Sequence, residues 1–92
     1  MIALTIFARP GCHLCDDMKA IVTRVARESA QPIAIEEIDI STDPALEARY
    51  GLEIPVLLVD GKKAAKYRIG EDALRKLLAG RAGGAGKAGG AG

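Results

Sequence analysis

The sequence predicts an α/β domain in which one mixed, four-stranded sheet is flanked by helices. Three observations predict it. A wholly uncharged run, Ile2 to Ala8, leads into a cysteine pair, Cys12 and Cys15, where an amphipathic helical pattern begins. Strand and helix periodicities then alternate through residue 40, as in a parallel strand–helix–strand unit. After residue 52 an apolar strand and a lysine-rich return strand follow, joined by the hairpin signal Asp60-Gly61, and one helix closes the chain. The order is strand, helix, strand, helix, strand, strand, helix. The sheet arrangement that suits it places the strands 2-1-3-4.

Each element has its own physical signature. The run Ile2–Ala8 fits a central strand buried on both faces, and Arg9-Pro10-Gly11 ends it. From Cys12 or His13 to about Ser29, the residues Leu14, Met18, Ile21, Val22 and Val25 fall on one helical stripe. Asp16 and Asp17 near its start, and Arg24 and Arg27 near its end, suit the helix dipole, and Gln31-Pro32 stops it. Residues 33–40 read as a β-branched strand whose charges indicate an edge, with Glu36 and Glu37 in solvent. Asp43 caps a short helix with Pro44 at its first position, and Gly51 is expected to end it in a left-handed conformation. Residues 53–59 form the third strand, with Pro55 near its start, and Lys62 to Ile69 the return strand. Along that strand Lys62, Ala64, Lys66 and Arg68 are expected on one face, as lysine protection of an exposed edge, with a docking surface for acidic partners as the lesser alternative. The last helix opens at Gly70-Glu71-Asp72, packs through Leu74, Leu77 and Leu78, and is expected to stop at Gly80.

The 92 residues make one domain, residues 1–79, followed by residues 80–92. That last stretch contains only Gly, Ala, one Arg and one Lys, so it is expected to be a flexible tail. The chain carries a net charge of +1; setting aside Arg81 and Lys87 leaves 11 basic against 12 acidic residues. That balance gives no reason to expect nucleic acid or a membrane as partner. Met1 runs straight into a strand pattern with no basic leader, so a cytoplasmic protein is expected, and a monomer by default.

The chemistry is concentrated in Cys12-His13-Leu14-Cys15. Two cysteines at this spacing, between a strand and a helix, are the sequence form of a redox dithiol. A helix N-terminus favours a thiolate, and the thiolate is the nucleophile of disulfide exchange. Cys12 is expected at the exposed mouth of the turn and Cys15 one helical turn inward. Arg9 and His13 are expected to favour the Cys12 thiolate, whereas Asp16 opposes it; the alternative for His13 is a solvated residue at the helix start. A zinc site would need ligands beyond the two cysteines, and only His13 stands nearby, so no metal is expected. Met18, Tyr50 and Tyr67 are expected to be packing residues.

With these features in place, the chain resembles the glutaredoxin-like proteins of the thioredoxin-like fold. Four segments carry the resemblance. Arg9-Pro10-Gly11-Cys12 resembles their basic-x-x-Cys approach, and Cys12-His13-Leu14-Cys15 stands at their dithiol. Glu53-Ile54-Pro55 stands at their Thr-Val-Pro, and Ile69-Gly70-Glu71-Asp72 resembles the start of their Gly-Gly-x-x-Asp segment. The resemblance implies a cis bond before Pro55 and a substrate-binding role for Ile54, Pro55, Gly70 and Glu71. It implies a thiol–disulfide oxidoreductase in electron transport and redox homeostasis, with Cys12 and Cys15 catalytic. Its substrates would be disulfide-containing proteins or small thiols, and its electron donor a reductase or glutathione. No tightly bound cofactor is implied, and glutathione is a candidate co-substrate. Glu53 and Glu71 replace a Thr and a Gly of the family pattern, and carboxylates there are expected to repel an anionic tripeptide. The alternatives are an iron–sulfur-carrying protein and a redox-inactive binding module.

Overall fold

An uncharged strand needs cover on both faces, and β1 (Ile2–Ala8) takes a central place in the sheet. The computed structural model describes residues 1–83, with side chains as far as residue 80. After β1 come α1 (His13–Glu28), β2 (Ile33–Asp39), a single 3-10 turn (Ile40–Thr42) and α2 (Pro44–Tyr50). Then follow β3 (Val56–Val59), β4 (Lys62–Lys66) and α3 (Glu71–Gly83). The sheet order is β2-β1-β3-β4, as the sequence predicts. β1 runs parallel to β2, from Ile2 opposite Ile33 to Ala8 opposite Asp39, and antiparallel to β3. β3 and β4 form an antiparallel hairpin. Asp60 and Gly61 at its tip have φ of 50° and 86°, the paired left-handed turn that matches strand twist.

The alternation of β1 creates two cores. Ile2, Leu4, Ile6 and Ala8 face α1 and α3, where they meet Met18, Val22, Val25, Leu74 and Leu78. Phe7 faces the other way and packs with Ile40, Tyr50 and Val56 beneath α2. Its ring stacks on Tyr50 with centroids 4.6 Å apart. β3 serves both cores, with Leu57 and Val59 on one side and Val56 on the other. β2 is the predicted edge: Ala34, Ile35, Glu36 and Glu37 are all exposed.

Several local expectations are corrected. Gly51 ends α2 with φ −54° and ψ −30°, still right-handed, so chirality does not explain it. A Cβ at Gly51 would lie 2.5 Å from the Glu47 carbonyl oxygen and 3.3 Å from Arg9 Nη2, so close approach does. α3 runs through Gly80 to Gly83, because glycine permits a left-handed stop without imposing one, and the flanking alanines favour helix. The tail expected from residue 80 therefore begins inside the helix, and residues 84–92 lie outside the described residues. Leu77 is 38% exposed, so only Leu74 and Leu78 of the three leucines are buried.

β4 ends at Lys66 rather than Ile69. Leu57 opposes Ala65 and Leu58 opposes Lys63, so Ala64 is an extra, bulged residue. The bulge breaks the alternation, and Ala64 and Ala65 both pack against the α1–α3 core. Lys62, Ala64, Lys66 and Arg68 therefore do not share one face. The chain then turns at Tyr67, whose φ is 70°.

Candidate active site

The dithiol sits where β1 hands over to α1. Pro10 and Gly11 make the turn, and Gly11, at φ 79°, is a position that strongly favours glycine. Cys12 is the N-cap of α1, with φ −100° and ψ 111°. Its carbonyl accepts the first helical hydrogen bond, from the Asp16 N–H at 3.1 Å. Its Sγ accepts from the Cys15 N–H at 3.1 Å, in the place where a Ser or Asp oxygen commonly caps a helix. Cys12 and Cys15 are joined as a disulfide, with Cα atoms 5.2 Å apart.

The two sulfurs have different surroundings. Cys15 is 2% exposed and belongs to the α1–α3 core, whereas Cys12 is only half-buried at its rim. An incoming group therefore reaches Cys12 and not Cys15. His13, the first residue of α1, is exposed. Ile54 and Ile69 pack against the same core as Cys12. The Ile54–Pro55 peptide is cis, and Pro55 is fully buried. Ile54 also touches the α2 core, so the loop before β3 stands at the junction of both layers.

Arg9 lies elsewhere than the sequence reading expects. It continues the Phe7 face of β1, and its Nη2 pairs with Glu47 Oε1 and reaches the Gly51 carbonyl at 3.5 Å. Its Nε is buried without a hydrogen-bond partner among the described residues. Arg9 thus ties the approach to the dithiol to the start of the loop carrying Ile54-Pro55. Glu47 was not legible as its partner from sequence. The available signal was the period of β1, which assigns residue 9 to the α2 side.

The two glutamates at the family's ligand positions are each ion-paired. Lys63 donates to Glu53 at 3.0 Å, and this bond, with the lysine's charge, holds the Glu53 carboxyl below its ordinary range. Glu71 pairs with Arg24 at 2.7 Å and with Arg75 at 2.9 Å. Neither presents the bare negative charge that the sequence suggests. Arg24 is twelve residues beyond Cys12, about 18 Å along an ideal helix axis, so Glu71 is drawn down α1. Gly70 caps α3 through its carbonyl, which accepts from Leu74 N–H at 3.0 Å. The structure thus gathers Cys12, Cys15 and Ile54 in one cluster, with Pro55 beside Ile54, while Arg9 and Glu71 are held by partners outside it. Met18 is core, Tyr50 is buried, and Tyr67 is 42% exposed.

Among the described residues no group of three or more His, Cys, Asp or Glu gathers to hold a metal ion. No helix of the described residues is long and apolar enough to cross a membrane.

Comparison with known proteins agrees with this geometry. A glutaredoxin-like protein of Dictyostelium discoideum is 35% identical over 77 residues, covering 79% of this chain and 71% of that one. An X-ray structure of a structural-genomics target from X. campestris superposes with a TM-score of 0.65 at 34% identity, covering 83% and 95% of the two chains. A chloroplastic thioredoxin z superposes with a TM-score of 0.74 at 14% identity, covering 91% and 80%, which shows the shared thioredoxin-like fold. The family model described as a glutaredoxin-like domain (DUF836) matches residues 3–79, and the chain belongs to that family.

Proposed function

We propose that this protein is a thiol–disulfide oxidoreductase working through a Cys12–Cys15 dithiol. The observation that carries the reading is the asymmetry of the pair. Cys12 is accessible at the α1 N-terminus with its sulfur accepting a backbone N–H, and Cys15 is buried within bonding reach of it. In the reduced form, the N–H and the helix dipole favour the Cys12 thiolate. That thiolate attacks one sulfur of a substrate disulfide, forming a mixed disulfide and expelling the other sulfur as a thiolate. Cys15 loses its proton and attacks Cys12 Sγ, forming the intramolecular disulfide and releasing the second thiolate. Two electrons and, after protonation of the products, two protons pass to the substrate.

Two thiols of a donor, as two glutathione molecules or a reductase dithiol, return the pair to its reduced form. The ion-paired state of Glu53 and Glu71 supports glutathione in that role, because neither carboxylate faces it uncompensated. The Ile54 backbone, just before the cis bond to Pro55, is the segment along which an extended substrate would pair. Such a cycle belongs in a reducing compartment such as the cytoplasm, where it would serve electron transport and redox homeostasis.

The test is a Cys15→Ser variant challenged with a protein disulfide. It should stall as a covalent adduct on Cys12, visible by intact mass, and lose multiple turnover. Turnover at the wild-type rate would overturn the dithiol cycle. Equilibration of the wild type in glutathione buffers should give the Cys12–Cys15 disulfide as the oxidised species, whereas a dominant glutathione adduct would replace the dithiol cycle with a monothiol one.

A further inference from the structure

The net charge hides a strong asymmetry. Residues 1–48 carry four basic and eight acidic side chains, whereas residues 49–69 carry five basic and two acidic ones. Both acids of the basic segment are already engaged. Glu53 is paired with Lys63, and Asp60 accepts from the Ala3 N–H across the sheet at 2.9 Å. Among the described residues Arg49, Lys66 and Arg68 form no salt bridge, although the charges of Lys66 and Arg49 also reach the Glu53 carboxylate and help hold its pKa down. Lys66 sits over the Tyr67 ring at 5.5 Å, and Arg49 over the Tyr50 ring at 5.2 Å.

Two of these cations flank Tyr67, which is tied to the loop before β3. Tyr67 donates its N–H to the Pro55 carbonyl at 2.8 Å and its hydroxyl to the Leu52 carbonyl at 3.3 Å. Leu52, in the same loop as Ile54 and Pro55, is thereby held beside Tyr67, and it is 94% exposed. On the other flank, Arg68 lines a groove of about 440 Å³ with Leu14, which lies between the two cysteines. Asp17 also lines that groove, as its sole acid. Edge protection accounts for Lys62 and Lys63, and the helix dipole for Arg49. Edge protection extends to Lys66 at the end of β4, but it does not explain Arg68 beyond the strand, or a nearly naked leucine beside Tyr67. An exposed large apolar side chain rimmed by cations that make no salt bridge is the composition of a protein-binding patch.

We propose that the substrates are disulfides held in acidic polypeptide segments, which dock across Leu52, Tyr67, Lys66 and Arg68. An apolar substrate side chain beside the half-cystine covers Leu52, and substrate carboxylates face Lys66 and Arg68. The inference rests on the oxidoreductase reading and names its substrate class.

The test mixes fully reduced protein with disulfide-bridged peptides of equal length, one flanked by Glu and one by Lys, and follows a single turnover. The protein dithiol becomes the Cys12–Cys15 disulfide as the peptide disulfide becomes two thiols, so no other donor enters. At low salt the acidic peptide should react about 10-fold faster, and the preference should fade as salt screens it. The pair K66E and R68E should invert the preference, and Leu52→Ser should slow both peptides several-fold while leaving their ratio in place. Equal rates for the two peptides, or an unaltered preference in the charge-reversed variant, would overturn the proposal. Bis(2-hydroxyethyl) disulfide, which is uncharged, separates the two levels. Its reduction without a charge preference among the peptides defeats the docking surface alone, whereas failure to reduce any disulfide defeats both.

Discussion

The two sides of the sheet solve the same problem unequally. The α1–α3 side holds twelve buried residues from four elements, among them Cys15. The α2 side holds four, and only over the end of the sheet near the dithiol, since Ala3 and Ala34 on that face are exposed. What apolar area does not supply there, polar ties do. Asp43 caps α2 through the N–H groups of Ala45 and Leu46, and Arg9 grips Glu47 and Gly51. The difference places one half of the site, the cysteine pair, on the rigid layer. The other half, the loop from Gly51 to Pro55, hangs on the lighter one. Local opening is expected to begin at α2, because few buried contacts mean low local stability.

The same substitution in each layer tests this most directly. Leu74→Ala removes a side chain with no exposure and should cost about 2–5 kcal/mol, read as a lower denaturant midpoint. Leu46→Ala, on half-buried α2, should cost about 1 kcal/mol. Equal costs would break the comparison. Gly51→Ala comes next. Its Cβ would meet the Glu47 carbonyl and crowd the Arg9 guanidinium, and overpacking of this kind costs about 1–3 kcal/mol. Combined with Glu47→Gln the loss should fall short of the sum, because both disturb one tie; strict additivity would show that Arg9, Glu47 and Gly51 are not coupled.

Asp43→Ala removes an N-cap worth about 1 kcal/mol and should speed amide exchange in α2 while leaving α1 protected. Equal acceleration in both helices would mean that the layers open together. The smallest effect is electrostatic. Lys63 lowers the folded pKa of Glu53, so the pair contributes above the ordinary glutamate value of 4.5 and is lost as pH falls through the lowered folded value. Glu53→Gln should therefore flatten the acid limb of the stability curve slightly, and an unchanged limb would remove this pair from the account.

Much of the molecule was legible because it rests on local pattern. The apolar run of β1, the stripe of α1, the Asp43 cap and the Asp60-Gly61 turn each carry their conformation in a few neighbouring residues. The cysteine spacing likewise announced a cysteine pair within bonding reach at a helix start. Leu52 was overlooked because one exposed leucine has no period, and only the hydroxyl of Tyr67, fifteen residues on, places it beside Lys66 and Arg68.

By itself, then, the sequence determined the elements, the strand order and the position of the cysteines at a helix start, since periodicity, capping and turn chemistry act over a few residues. Only the tertiary structure decided which charges meet. Arg9 went to Glu47 rather than to the thiol, Glu53 to Lys63, and Glu71 to Arg24. Gly51 is a matter of room for that first pair rather than of backbone handedness. The physical reason is reach. A long charged side chain chooses its partner among groups that folding brings within a few ångströms, and sequence separation does not record that distance.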